Sequence, residues 1–317
     1  MAESGLSGGF AELQTEVSDY LGLGRTAANL STADTARVNA ILKAGLRRFY
    51  GDYDWGFLKV IATMTTNAPY STGTVTSSST TVTLTTGTWP SWAANGEVTV
   101  DAVTYTVASR SSDSVIVLDT APSSAFSADT FEIRQRDYEM PDNFGGSIIG
   151  EMHYRDTAAK KSNVSIRPQS EIRDRRARSD SSGEMVMAAI RPKASDGTDG
   201  QRWEVIFWPD PDAAYTIEYR YHQIQEDLDA TNPYPLGGAL HFEAIKCSCL
   251  ARAELILNDE IGVWAHEYQQ VLLRSIRRDQ AADTAQFMPS YGNRSSTMQL
   301  DDRLTGFATV DGSKSDA

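Results

Sequence analysis

Cysteine is almost absent from this chain, and so are the marks of several large protein classes. Cys247 and Cys249 are its only cysteines, and they stand two apart in a segment whose pattern predicts a helix. Side chains at i and i+2 of a helix point to different sides, so the pair forms no intrahelical disulfide. A disulfide-stapled scaffold is excluded, and two free thiols point to folding in a reducing compartment. Without a second Cys or His pair, Cys247 and Cys249 read as small core thiols rather than as half of a zinc site. Histidine is scarce as well. His153, His222, His241 and His266 are scattered, with no His-Glu-x-x-His spacing. No apolar run approaches membrane-spanning length. The opening MAESGLSGGF has no basic segment followed by an apolar stretch, so no secretory signal is visible. The expectation is a soluble protein made in the cytoplasm, with no membrane partner.

Positive charge is also in short supply. Lys and Arg number 29 against 42 Asp and Glu, a net charge of -13. Such a surface repels a phosphate backbone, which argues against tight nucleic-acid binding while leaving DNA free to pass nearby. The motifs of the common enzyme classes are missing too. There is no Gly-x-Ser-x-Gly elbow, Walker loop or dinucleotide fingerprint, and 145-GGSIIG-150 opens no predicted helix. Paired carboxylates occur in 209-PDPD-212 and 259-DE-260, and a glycosidase needs only two. In an acidic chain these read as turns and solvated faces, and turn formation accounts for Asp210 and Asp212 beside their prolines. No catalytic, cofactor-binding or metal-ligating residue is therefore expected.

What is present is a chain of 317 residues, 40% hydrophobic and 22% charged, enough for one large or two smaller domains. In 10-FAELQTEVSDYL-21 the apolar residues follow helical spacing, and Gly22 and Gly24 supply a stop. Ser31 and Asp34 make a short-armed capping box for a second helix, whose apolar face is Val38, Ile41, Leu42 and Phe49. That face ends in Tyr53 and Trp55, before a strand-like run over 57–66. Residues 70–135 are dominated by Ser, Thr, Val and Gly. Alternation in 80–86, 97–109, 114–120 and 130–135 predicts a compact antiparallel β module inserted into a longer unit. A strand near 148–155 and a short helix over 169–178 come next. The segment 203-WEVIFWPDPDAAYTIEYRYHQ-223 is expected to be a hairpin. One of its aromatic faces would lie against the following helices, leaving Ile206 and Trp208 in need of a cover. Two more helices are predicted, with stripes Phe242, Ile245, Cys249, Ala253, Ile256 and Trp264, Tyr268, Val271, Leu272, Ile276.

The expected fold class is α+β. The N- and C-terminal helix pairs pack as a bundle against a β-rich middle, because each pair carries an apolar stripe that must be covered. The expected organisation is an adaptor-like core over 1–69 plus 136–284, the inserted module over 70–135, and a polar, patternless tail over 285–317.

Three features are candidates for binding. Arg173, Arg175, Arg176 and Arg178 form a basic cluster, open to DNA, to an acidic neighbouring subunit, or to nearby acids of the same chain. Trp89 and Trp92 in 89-WPSWAANGE-97 could stack on sugar rings or plug the end of a small β-barrel. Phe287, Met288, Tyr291, Leu300, Leu304 and Phe307 lie among polar residues of the tail. Sparse apolar anchors of that kind suit a segment that docks on a partner.

The order of segments carries a resemblance. A helix leads into the aromatic close 47-RRFYGDYDWGF-57. The β module follows, GTVTSSSTTVTLTTGTW and then VDAVTYTVASRSSDSVIVLDTAP, closing on 138-YEMPDNF-144. Last come 203-WEVIFWPDP-211 with its Tyr-rich return strand and a helix pair containing 253-AELILND-259. From about residue 10 to 284 this order resembles the head-to-tail adaptor, or connector, proteins of tailed bacteriophages, the tail tubular protein A type among them. Compact members of that family lack so large a β insertion. The resemblance implies a non-enzymatic virion protein that forms a ring, commonly a dodecamer, at the portal vertex. Its partners would be copies of itself, the portal protein and a tail, nozzle or neck protein, with genomic DNA passing through the channel. Two alternatives stay open: a glycan- or receptor-binding phage tail protein using the β module, and a tail-associated hydrolase.

Overall fold

The computed structural model describes residues 6, 8–24, 29–155, 163–195, 197–198 and 200–284. Among them are five α-helices: α1 (Phe10–Tyr20), α2 (Thr32–Gly51), α3 (Gln169–Arg178), α4 (Gly238–Asn258) and α5 (Val263–Thr284). The chain is α+β, with its two ends joined in one helical body.

Helices α1, α2, α4 and α5 share one hydrophobic core, which includes Leu13, Val17, Val38, Ile41, Phe49 and Tyr268. The Ser31 cap forms as expected: its Oγ accepts from the Asp34 N–H at 3.1 Å. The short Asp34 carboxylate takes the Ser31 hydroxyl proton, at 2.6 Å, instead of reaching back to the backbone. Helix α4 departs from its predicted single stripe. It is buried nearly all round, from His241 and Phe242 through Ala253 and Glu254, whereas Ile256 is exposed. The reason is position, since α1, α2 and α5 all pack on α4. At the α2–α4 contact the backbones nearly touch. A β-carbon on Gly45 would lie 2.6 Å from the Cys249 Cα, and the Ser248 hydroxyl donates to the Gly45 carbonyl at 2.8 Å.

Both cysteines are free and buried in this core. Burial pushes the Cys249 thiol up to about 12 and that of Cys247 up to about 11, Glu243 adding to the second.

The middle of the chain builds two facing sheets. The first contains β1 (Lys59–Thr65), β10 (Phe144–Ile148), β11 (His153–Tyr154) and β17 (Thr216–Gln223), with β17 central. The second has the order β12 (Ser165–Ile166), β14 (Met187–Pro192), β15 (Trp203–Trp208), β9 (Asp137–Glu139). The expected 203–223 hairpin is therefore not formed. Its first arm, β15, pairs with β14 and β9, and its second arm, β17, pairs with β1, β10 and β11. Between them, β16 (Asp210–Pro211) pairs with β13 (Ser182–Gly183). Period-two alternation identifies strands but not partners, and here the connection crosses from one sheet to the other.

The aromatic faces of the two arms still meet, across the space between the sheets. Val205 and Phe207 pack with Ile217, Tyr219 and Tyr221 in a core of their own, not on the helical body. Tyr138 meets Phe207 edge-on at 5.7 Å, and Phe144 stacks on Tyr221 at 5.5 Å. The second apolar face of β15 is covered by the same chain. Helix α3 lays Ile172 over Ala189 and Ile206, with Trp208 beside them.

The β module is a seven-stranded antiparallel sheet. Its order is β7 (Ser127–Asp129), β2 (Val75–Ser78), β3 (Thr81–Leu84), β6 (Val115–Leu118), β5 (Val103–Arg110), β4 (Glu97–Val100), β8 (Phe131–Arg134). The sequence pattern does not reveal β2 and β7, which are short and rich in serine. Only Thr130 separates the two edge strands in the chain. Laid flat, six steps of about 4.8 Å would hold those edges roughly 29 Å apart, while one residue spans about 3.5 Å. The sheet must roll almost closed, around a core that includes Val82, Val98, Ile116 and Ile133.

Two expected outcomes follow from the helical body. Gly45→Ala gains about 1 kcal/mol of helix propensity but forces a methyl group into α4. Urea denaturation should show a net loss of about 1–2 kcal/mol, and a stabilised variant would disprove the close contact. Thiol titration of the native protein near pH 8 should leave Cys247 and Cys249 unmodified until denaturant is added.

Candidate functional site

The arginine cluster of α3 divides into two kinds of residue. Arg173 and Arg178 are exposed and make no ion pair among the described residues. Arg175 pairs with Glu171 at 3.0 Å and lies over the Trp208 ring at 4.9 Å. Arg176 is built into the fold. Its guanidinium donates to the Phe207 carbonyl at 3.0 Å and to the Arg136 carbonyl at 3.0 Å. It also pairs with Asp137 at 3.3 Å and Asp210 at 3.1 Å. Half of the basic cluster is thus structural, and Arg173 and Arg178 are the members left open to an outside contact.

Asp210 is the centre of this node and not the turn residue expected from the sequence. Its side chain is 2% exposed, with the Arg136 Nε 2.6 Å from the second carboxylate oxygen. Burial raises its pKa, and the Arg176 and Arg136 guanidiniums pull it back. Arg136 reaches on to Glu97 of β4 at 3.2 Å and to Asp180 at 3.5 Å. Arg191 of β14 bridges Asp137, at 2.8 Å, and Glu204. The network ties the β module, α3 and the second sheet together through charge. Buried charges are retained only when paired in this way. Nothing in the sequence marks Arg136 or Asp210 for the role, because their partners come from four separate segments. Asp212, the other acid of that motif, accepts from the Tyr215 hydroxyl at 2.6 Å.

The two module tryptophans do not form a paired surface. Trp89 is fully buried in the module core, 4.9 Å from the Phe131 ring, and its carbonyl accepts from Arg110 at 2.9 Å. Trp92 is half-buried against the same core. A turn over Ser91–Asn95 brings this loop across the barrel wall. That arrangement is the plug anticipated for the barrel end, and it corrects the assignment of Trp89 as a glycan contact. The tail anchors Phe287, Met288, Tyr291, Leu300, Leu304 and Phe307 lie outside the described residues.

Two buried groups of the helical body also went unnoticed in the sequence. Glu254 is 5% exposed and accepts from the backbone N–H of Trp264 at 3.0 Å and of Ala265 at 3.3 Å. A carboxylate of α4 thereby caps the N-terminus of α5, where a negative charge is favoured. Gly262 makes room for it, since a β-carbon there would lie 2.1 Å from a Glu254 oxygen. This cap fixes the turn between the helices, and that turn is apolar. Leu257 is 48% exposed, Ile261 75% and Val263 77%. His241, at the other end of α4, is hydrogen-bonded through Nδ1 to the Ser275 hydroxyl at 2.5 Å. The neighbouring Asp279 carboxylate is committed elsewhere, accepting from the Gly56 N–H at 2.8 Å. Burial lowers the His241 pKa below 6.5, Asp279 opposing the shift and Arg278 adding to it.

Among the described residues, no group of three or more His, Cys, Asp or Glu is placed to hold a metal ion. No described helix is long and apolar enough to cross a membrane. The buried carboxylates of Asp210, Glu254 and Asp279 each hold a guanidinium or a backbone N–H. Comparison with known proteins finds no matching protein-family model and no matching curated sequence.

Removing the centre of the node should be costly. Asp210→Ala leaves Arg136 and Arg176 facing one another without their shared anion, an expected loss of about 3 kcal/mol in chemical denaturation. A change under about 1 kcal/mol would show the network to be dispensable. His241 gives a pH signature. Its folded pKa is depressed, so the unfolded chain takes up the proton first and stability falls as pH drops below about 6.5. Melting temperatures between pH 7.5 and 5 should decline less steeply in His241→Gln than in the wild type.

Proposed function

We propose that the chain is a structural subunit of the head-to-tail adaptor kind, assembling as a ring beneath a phage portal and joining capsid to tail around the DNA channel. The observation that carries this reading is the exposed apolar tip of the α4–α5 hairpin. Leu255, Ile256, Leu257, Ile261 and Val263 are 38–77% exposed, although the chain has ample core to bury them. A contiguous apolar patch held rigid by a buried cap is costly in a monomer and useful in an assembling subunit.

Other features support the reading. The helical body, the sandwich and the module each have a core of their own, so their surfaces can serve contacts with neighbours without disturbing the fold. A net charge of -13 suits a channel through which DNA slides without being gripped. Helix α5 runs to Thr284, and the anchor-bearing tail continues directly from the helical body. On this reading the virion portal vertex is the site of action, and the portal and a tail or neck protein are the partners. Burial of Trp89 removes half of the pair on which a glycan-binding role would rest.

Negative-stain images of the purified chain, with and without portal, test the proposal. Rings stacked on portals are expected, and portals left bare would overturn it. Deleting residues 285–317 should leave a cooperatively folded protein that no longer assembles onto portals. Normal assembly of the truncated chain would remove the tail from the mechanism.

A further inference from the structure

The helical hairpin carries a knob at its turn and a hole along its shaft. The knob is Leu257, Ile261 and Val263, flanked by Asp259 and Glu260, all exposed. The hole is a cleft of about 260 Å³ between α4 and α5, lined by Leu240, Val271, Arg274 and Arg278 together with Glu243, Glu267 and Ser275. Leu240 is 64% exposed at its rim. Glu243 is paired with Lys246 at 3.0 Å, and Arg277 lies beside the cleft on the same turn as Arg278. Three arginines thus stand against the single remaining acid, Glu267, in a chain that is otherwise strongly acidic. The turn is apolar and negative, while the cleft is apolar and positive.

The two cannot meet within one molecule. At 1.5 Å per residue, Leu240 lies about 28 Å along α4 from the turn, and Arg274 about 16 Å along α5. Both helices are straight parts of one packed hairpin, with the turn locked by Glu254. We infer that the α4–α5 turn of one copy of this chain docks into the α4–α5 cleft of the next. The apolar residues fill the cleft, and Asp259 and Glu260 face Arg274 and Arg277. Knob and hole are different surfaces, so the contact is heterologous. Repeated, it propagates from copy to copy and closes into a ring if the rotation allows. The inference rests on the ring-forming reading above and names the interface that reading requires.

A mixing experiment tests it on the full chain. Ile261→Asp with Val263→Asp disables the knob, and Leu240→Asp with Arg274→Glu disables the hole. The substituted apolar side chains are all well exposed, so circular dichroism should show both variants folded. By analytical ultracentrifugation at up to about 0.5 mM, where even a millimolar contact is visible, the wild type should form larger species with rising concentration. Each variant alone should stay monomeric. An equimolar mixture retains one competent knob and one competent hole, and should stop at a dimer. A monomeric mixture, or variants that assemble like the wild type, would overturn the inference. Portal binding separates this outcome from failure of the broader reading. Rings formed on portals by the knob variant would overturn the knob-and-hole contact and leave the adaptor role standing. Wild-type chain that ignores portals, alongside a dimerising mixture, would support the contact and remove the adaptor role.

Discussion

Burial of α4 from every side is the constraint on which the rest of the structure depends. A helix with so little solvent face needs neighbours all round, and the chain supplies them from both of its ends. Helix α2 comes closest, and only because residue 45 is glycine. Helix α5 folds back along α4, with its first turn capped by Glu254. Residues 59–237 are therefore bounded at both ends by one body, and the β-rich middle has to leave it and return to it. Strand β1 and the central strand β17, paired along seven residues, are the two chain segments that make this passage.

The middle solves a second problem. Its strands carry more aromatic surface than one sheet face can hide, and the solution is a sandwich whose outer face is covered by α3. That helix is too polar to be held by its own apolar stripe. Ile172 is its single buried residue, and Arg176 anchors it from inside through Asp137, Asp210 and two carbonyls. The charges follow from packing: a module, a helix and a sheet edge meet where no apolar surface is continuous. Arginine suits the position because its planar fork reaches several acceptors at once.

Helix existence and type were legible in the sequence. The stripes of α1, α2 and α5, the Ser31 cap and the polar α3 all stand where periodicity puts them, because helical hydrogen bonds are local. The module's longer strands were legible for the same reason, through alternation over four or more residues. What failed was pairing. The segment Trp203–Gln223 shows two alternating arms around a proline-rich turn, and its neighbours in space, residues 59–65, 137–139 and 187–192, leave no trace in it. The candidate contacts failed in the same way: Trp89 and Arg176 are binding-type residues by composition and core residues by environment.

By itself the amino-acid sequence determined an acidic, thiol-poor α+β chain whose apolar stripes at both ends had to be covered, since those properties are carried by residue type and local spacing. Tertiary structure alone decided that the two arms of Trp203–Gln223 belong to different sheets, that Asp210 sits between two arginines, and that an apolar knob and a basic cleft occupy one hairpin. Each of these joins residues far apart in the chain. Burial, pairing partners and the desolvation of charge depend on what the folded surroundings provide, and no local pattern encodes them.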